Sequence, residues 1–382
     1  MRNKILRNHE STKMKVLLVN FDKGWGGGQE QLKSLSLEIA TKRCFPHFIV
    51  RPESPSAHNF SALGFPVSTF FGPKQNYLRQ IFDIARLLRR EQFDIVMATR
   101  EHDLVRIVLA WKLAFPFIKH GKLIVCYHTA TRRKQLFLGI ADAVLCVSSF
   151  IRNNLLDSNP GIVQPIAIIP NGIPITGAPS SEKFTEARQR RFFHGLDFPL
   201  IGMVGAFFKN QVELIEIIPL LKREFPSIKI ALIGDDTDPG LTGPIKAKAR
   251  LFGVTDSLIF TGKVPHEQMA DLYFDLDLTV STFRNEGFGL IHLESLAAGT
   301  PVVAYNKGGQ VDIFKGNNTG TLVEGGAEQF SAAVADLLRE KEKRFAMGRE
   351  GVDLVLSSFS IKKMGQDYID FFTGLIYNTH QY

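Results

Sequence analysis

The sequence predicts an α/β protein of two doubly wound halves facing a central cleft. Short apolar runs such as KVLLVN (15–20), DIVMA (94–98) and KLIVCY (122–127) read as strands buried on both faces, and helical patterns separate them. That alternation calls for parallel sheets covered by helices. After a stretch rich in Pro, Gly and Ser at 166–184, the pattern starts again, and 382 residues give room for two domains. We expect one domain over 1–176, completed by a C-terminal helix at 362–382, and a second over 177–361.

In the first half, the strand at 15–20 runs through Gly24, Gly26, Gly27 and Gly28 into a helix with Leu32, Leu35 and Ile39 on one face. These glycines are not spaced G-x-G-x-x-G, so the dinucleotide fingerprint is absent. Strands follow at 48–52 and 67–71, then a helix over 78–90 and a strand over 94–100. The strand LIVCY delivers His128 to its carboxyl end, where open parallel sheets bind ligands. ADAVLCVSSFIRNNLL from Ala141 adds a strand and a helix.

The second half reads FPLIGMVGAFFKNQ as strand, turn and helix, with further strands in KIALIGDD, SLIFTGKV, DLTVSTF and PVVAYN. The last segment places Met364, Tyr368, Phe371, Leu375 and Ile376 on one helical face.

Composition sets outer limits. At 45% hydrophobic and 22% charged residues the chain is globular. It lacks an apolar run of the roughly 20 residues that a spanning helix needs. The first 13 residues lack the apolar core of a secretory signal, which predicts a cytoplasmic protein. Cys44, Cys126 and Cys146 sit in apolar surroundings and read as buried reduced thiols. Residues 1–180 hold 24 Lys and Arg against 12 Asp and Glu, so that half carries the excess of positive charge. There is no nucleic-acid-binding motif. Clusters such as RLLRR (86–90) and TRRK (131–134) suit either a solvated face or an anionic membrane surface, which would make the protein peripheral on the inner membrane face.

The most informative stretch is STFRNEGFGLIHLESLAAGTP, 281–301. A strand bends at Gly287 and Gly289 into a helix with Leu290, Leu293 and Leu296 at spacings of three. Glu286 lies in the turn and Glu294 on the helix. Unpaired N–H groups at a helix start attract phosphate, and glycine lets the backbone approach it.

With GGGQE, YHT, VSSF, IPNGI, VGAFFKNQ, LIGD, FTGKV and NEGFGLIHLESLAAGTPVVA in place, nearly the whole chain resembles the family-4 retaining glycosyltransferases of the GT-B fold. The resemblance implies two Rossmann-like domains. It also implies transfer of a sugar from a nucleotide-diphosphate donor to a hydroxyl acceptor, lipid-linked or polysaccharide, with no metal or other cofactor.

Carried over by matching motif, Glu294 holds the ribose hydroxyls and Glu286 lies near the donor sugar. Backbone N–H groups of Phe288, Gly289 and Leu290 take phosphate oxygens, while Lys209 and the turn at Gly205 serve the diphosphate. Gly27 and Gly28 approach the phosphate and acceptor, and His128 lies near acceptor and sugar. The implied catalytic residues are Glu286, His128 and Lys209.

The chain departs from the family where Gly205 is followed by Ala206 rather than arginine; Arg284 is either a substitute cation or a surface residue. Asp236 and Asp238 form a D-x-D pair that reads as a turn and hydroxyl-binding loop rather than a metal site. Two other readings stay open: a nucleotide-sugar-binding protein with weakened catalysis, and a sugar-nucleotide epimerase on the same architecture.

Overall fold

The computed structural model describes residues 13–70, 77–99, 101–117, 120–135, 137–175, 179–185, 189–195 and 198–377. The basic leader up to residue 12, the strand ends at Phe71 and Arg100, and the tail from 378 lie outside the described residues.

The chain forms two compact units, residues 1–171 with 361–382, and residues 172–360. In the first, β1 (Met14–Asn20), α1 (Gly27–Ala40), β2 (Cys44–Val50), α2 (Pro55–Ala62), β3 (Val67–Thr69), α3 (Tyr77–Glu91) and β4 (Ile95–Ala98) follow one another. Then come α4 (Glu101–Ala114), β5 (Lys122–Tyr127), β6 (Ala143–Cys146), α5 (Ser149–Ser158) and β7 (Ile166–Ile168). The sheet order is β3-β2-β1-β4-β5-β6-β7.

In the second unit, β8 (Leu200–Val204), α6 (Gln211–Lys222), β9 (Lys229–Ile233), α7 (Pro239–Leu251) and β10 (Leu258–Phe260) come first. They are followed by α8 (Met269–Asp275), β11 (Leu278–Ser281), α9 (Leu290–Ala297), β12 (Val302–Tyr305), α10 (Val311–Phe314) and β13 (Gly320–Val323). Helices α11 (Ala327–Arg339) and α12 (Lys341–Ser358) close it, and α13 (Ile361–Tyr377) returns to the first unit. This sheet runs β10-β9-β8-β11-β12-β13.

All strand pairs are parallel, and both sheets carry the doubly wound order, reversing direction beside β1 and β8. These switch points open loops at the strands' carboxyl ends, so they place the site.

Two differences from the sequence reading have a simple cause. Strand β2 starts at Cys44 rather than Phe48, because pairing with β1 begins at Met14–Cys44 and draws Phe45, Pro46 and His47 into the ladder. Strand β13, GTLV, lacks an apolar run and is defined by its pairing with β12.

In the first unit, Val16, Leu18, Phe48 and Ile124 of the sheet pack with Met364, Tyr368 and Phe372 of α13. In the second, Ile201, Ile230 and Val280 meet Ile215 and Ile218 of α6 and Phe330 of α11. All three cysteines are free and buried. Burial pushes the Cys44 thiol up to about 11, and Cys126 and Cys146 up to about 12, so they stay protonated.

Lys183 anchors the segment entering the second unit. Although only 2% exposed, its ammonium donates to the carbonyls of Phe274 at 2.6 Å and Leu276 at 2.9 Å, and to Thr300 Oγ1 at 2.7 Å. Asp275, fully buried, accepts the N–H groups of Arg191, Phe192 and Phe193, each at 2.7 Å. A buried charge is tolerated only when it is so bonded.

Candidate active site

The second unit's switch point brings two loops together. After β8, Gly205 adopts φ 137°, and the stem of Lys209 crosses it so closely that an added Cβ would stand 3.1 Å from Lys209 Cδ. Asn210 takes the left-handed φ of 67° and caps α6, which ends the turn and aims Lys209. After β11, the loop carries Glu286. Lys209 Nζ donates to Glu286 Oε2 at 2.6 Å and lies 5.6 Å from the centre of the Phe283 ring.

The Glu286 turn rests on a glycine pair after β12. Gly309 N–H donates to Glu286 O at 2.7 Å, and a Cβ on Gly308 would approach Glu286 O and Arg284 O to 2.9 Å. Gly308 also needs its φ of 76°. The sequence reading missed this support, although Gly308-Gly309, one residue beyond PVVAYN, was a visible cue.

Gly289 caps α9 with φ 107°. A Cβ there would collide with the His292 ring, so sterics and backbone both call for glycine. Among the described residues no hydrogen bond uses the N–H groups of Phe288, Gly289 or Leu290, as expected at a helix start. The Phe288 side chain is buried and packs 6.0 Å from the Phe359 ring, leaving its backbone to do any binding.

His292 also escaped the sequence reading. It is fully buried, with Nε2 3.0 Å from Gln310 Oε1. Because Gln310 Nε2 donates to Tyr305 O at 2.7 Å, its oxygen faces the ring and His292 Nε2 carries the proton. Nδ1 is then an acceptor, and it is buried without a partner. Burial pushes this imidazole down to about 4, against the opposing pull of Glu286. The ring is therefore neutral at physiological pH.

Glu294 takes a separate position. Its Oε2 accepts from Tyr273 Oη at 3.0 Å, and burial pushes the carboxyl up while that bond pulls it back. It opens into a cavity of about 600 Å³ whose walls include Ile173, Phe274, Met269 and Ala297. Lys209 and Glu286 do not line that cavity. The structure thus joins Lys209, Glu286 and Gly205 directly, and Gly289 through His292, with Glu294 farther along α9.

Arg284 does not replace the cation missing at Ala206. Its guanidinium forms a two-pronged ion pair with Glu213 at 2.5 and 2.6 Å and stacks 3.8 Å above the Tyr305 ring. Burial pushes the Glu213 carboxyl up, but bonds from Arg284 and Tyr305 outweigh it and hold the group low. The Arg284 side chain is 38% exposed, in keeping with the surface reading, and is held in a structural pair with Glu213.

The D-x-D segment is a turn. Asp235 accepts from Thr237, and Asp238 caps α7 through the N–H of Gly240 at 2.8 Å. Among the described residues no three His, Cys, Asp or Glu side chains are gathered as a metal site requires.

Gly27, Gly28 and His128 belong to the first unit. Gly27 and Gly28 form the first turn of α1 instead of a preceding loop, with Gly26 as the cap. A Cβ on Gly28 would meet nothing within 4 Å. His128 follows β5, with Nε2 3.4 Å from Cys126 Sγ.

Two family models match this chain: Glycosyltransferase Family 4 over residues 25–176 and Glycosyl transferases group 1 over residues 185–353. Together they take in most of its length. The chain belongs to the family-4 type glycosyltransferases. Among similar glycosyltransferases is the GDP-mannose-dependent alpha-(1-6)-phosphatidylinositol monomannoside mannosyltransferase of Mycolicibacterium smegmatis, 27% identical over 61% of this chain and 63% of that protein. Another is the D-inositol 3-phosphate glycosyltransferase of Segniliparus rotundus, 30% identical over 50% of this chain and 42% of that one. Both matches span less than two thirds of the relative's own length.

Solved glycosyltransferases share the fold. A Rickettsia africae glycosyltransferase superimposes with a TM-score of 0.81 at 19% identity, covering 96% of this chain and 99% of that one. Anabaena HepE in complex with UDP and glucose gives 0.76 at 17%, covering 94% and 100%. The two-domain Rossmann-like GT-B architecture is thereby established.

Proposed function

We propose that this family-4 type glycosyltransferase moves a sugar from a nucleotide-diphosphate donor to a hydroxyl acceptor with retention at the anomeric carbon. The observation that carries this reading is the pairing of Lys209 with Glu286 at a switch point that also presents the start of α9. Breaking a sugar–diphosphate bond builds negative charge on the leaving group. A fixed ammonium and aimed N–H groups lower that barrier.

A front-side route to retention is favoured over a double displacement, which would also retain configuration, because Glu286 is already the counter-ion of Lys209 and is a poor nucleophile. The front-side route needs no protein base, since the departing phosphate accepts the acceptor's proton. Glu294, held by Tyr273, is assigned to the ribose hydroxyls. Gly27, Gly28 and His128 are assigned to donor phosphate, sugar and acceptor; the open space at the Gly28 Cβ position fits backbone approach by a ligand. The charge on the diphosphate is met by Lys209 and α9, so no metal is required, and EDTA should leave turnover unchanged.

The activity of the mycobacterial relative, a phosphatidylinositol monomannoside mannosyltransferase, supports a lipid-linked acceptor in cell-surface glycolipid or polysaccharide synthesis. The basic first half supports work at an anionic membrane surface in the cytoplasm.

A weakened, donor-binding protein is the second reading, favoured by exposed Ala206 and by an Arg284 committed to Glu213. Thermal-shift screening of nucleotide sugars would identify the donor, because a ligand that binds the folded state raises its melting point. Donor hydrolysis is then compared between wild type and Glu286→Ala. Binding with hydrolysis lost in the variant supports the enzyme; binding with no turnover in either favours the second reading.

A further inference from the structure

Helices α3 and α4 connect β3 to β4 and β4 to β5, stepping the same way across the sheet, so right-handed crossovers put both on one face. They lie side by side, and Arg89 Nε donates to Ala114 O at 2.6 Å, tying their C-terminal ends together. Their inner sides are spent on the core: Ile81, Ile84 and Leu88 from α3, Ile107 and Trp111 from α4 are buried. Whatever remains exposed on the two helices points outward together.

That outward face is unusual. Leu78 is 61% exposed and Phe82 60%, one helical turn apart. Phe117, just beyond α4, is 96% exposed. Interleaved with these are exposed cations: Arg79, Arg86 and Arg90 share the arc of Leu78 and Phe82, and Lys112 sits beside exposed Leu113. Helix α3 carries two acids against four arginines: Asp83 is half-buried, and Glu91 is taken by Arg90 and Lys15.

Large apolar groups spaced among arginines fit the boundary between headgroups and acyl chains. The rings and aliphatic chains enter while guanidinium groups meet lipid phosphates. The charge sign agrees, since the excess of positive charge lies in residues 1–180. No described helix is long and apolar enough to cross a membrane, so attachment here would be peripheral. We propose that the outward face of α3 and α4, centred on Leu78, Phe82, Arg79 and Arg86, docks this protein on an anionic lipid bilayer. This docking face rests on the membrane-surface part of the proposed function and is independent of the proposed transfer chemistry.

The test is co-sedimentation of the full chain with vesicles of phosphatidylcholine alone or mixed with phosphatidylglycerol. Wild type should partition at least about tenfold more strongly onto the anionic vesicles and come off as salt rises. Two variants, Leu78→Glu with Phe82→Glu and Arg79→Gln with Arg86→Gln, should each lose about tenfold or more, with unchanged circular dichroism and melting point. Arg79→Glu with Arg86→Glu is compared against Arg223→Glu with Arg250→Glu on the second unit, which changes charge equally and should lose less than about twofold. Equal loss in that pair would show bulk charge at work and overturn the proposal. So would wild-type indifference to anionic lipid, or variants that alter only self-association or capture of an acidic protein.

Discussion

Lys209 Nζ and Glu286 Oε2, 77 positions apart in sequence, stand 2.6 Å from each other across the β8–β11 switch point. The pair is mostly shielded, with side chains 21% and 14% exposed. Each group therefore holds the other's charge until a ligand competes for it.

Replacing Lys209 with Met should lower kcat/KM for the donor by about a hundredfold or more, the usual cost of removing a charge-stabilising donor. In a cycle with Glu286→Gln the two losses should fall short of additivity, because the residues act as a unit. Arg284→Lys should instead cost about 1 kcal/mol of stability with donor kinetics little changed, since it breaks a fork-and-stack contact only. Steady-state kinetics and urea denaturation separate the cases.

Tyr273→Phe removes the hydroxyl that Glu294 accepts. Leaving a buried acceptor unsatisfied should cost about 1–3 kcal/mol in urea unfolding. The donor KM should rise more than kcat falls, and the Glu294 carboxyl, having lost the bond that lowers it, should titrate still higher by carbon NMR.

His292 predicts a pH dependence of stability. Its folded value of about 4 lies below the ordinary 6.5, so between those values the unfolded chain binds a proton that the folded chain refuses. Stability from this site is full above pH 6.5, falls as pH drops toward 4 and is level below. The full loss is roughly 3 kcal/mol. Glu294, shifted upward, works in the opposite sense. Urea midpoints measured against pH should fall less steeply in His292→Gln than in wild type. Parallel curves would remove the imidazole from the explanation.

Gly289→Ala meets two obstacles, a φ of 107° and the His292 ring. It should destabilise by more than about 2 kcal/mol. Placed in a His292→Ala background, the steric part should disappear while a backbone cost of about 1 kcal/mol stays. Thermal melting of the four combinations gives both parts.

Much of this was legible in the sequence. Two halves, their strands and the turn-to-helix stretch around Glu286 follow from alternating apolar runs and glycine placement, which are local signals. The relation of Lys209 to Glu286 was not legible, because strand order decides which loops meet. Nor was the fate of Arg284: a lone arginine before a turn says nothing about a glutamate 71 positions earlier that claims it. Tyr273, His292 and the Gly308–Gly309 turn support the site from neighbouring elements, and support of that kind appears only when the chain is folded. Strand β13 escaped because a GTLV segment becomes a strand only through its neighbour.

Helix α13 completes the first unit's core although it is the last described element made, after the whole second unit. On the ribosome, then, the second unit can close while the first still lacks one covering layer, with Val16, Phe48 and Ile124 short of their partners Tyr368 and Phe372. The order of maturation runs against the order of synthesis. A stop codon just before α13 would damage the half of the protein that was translated first.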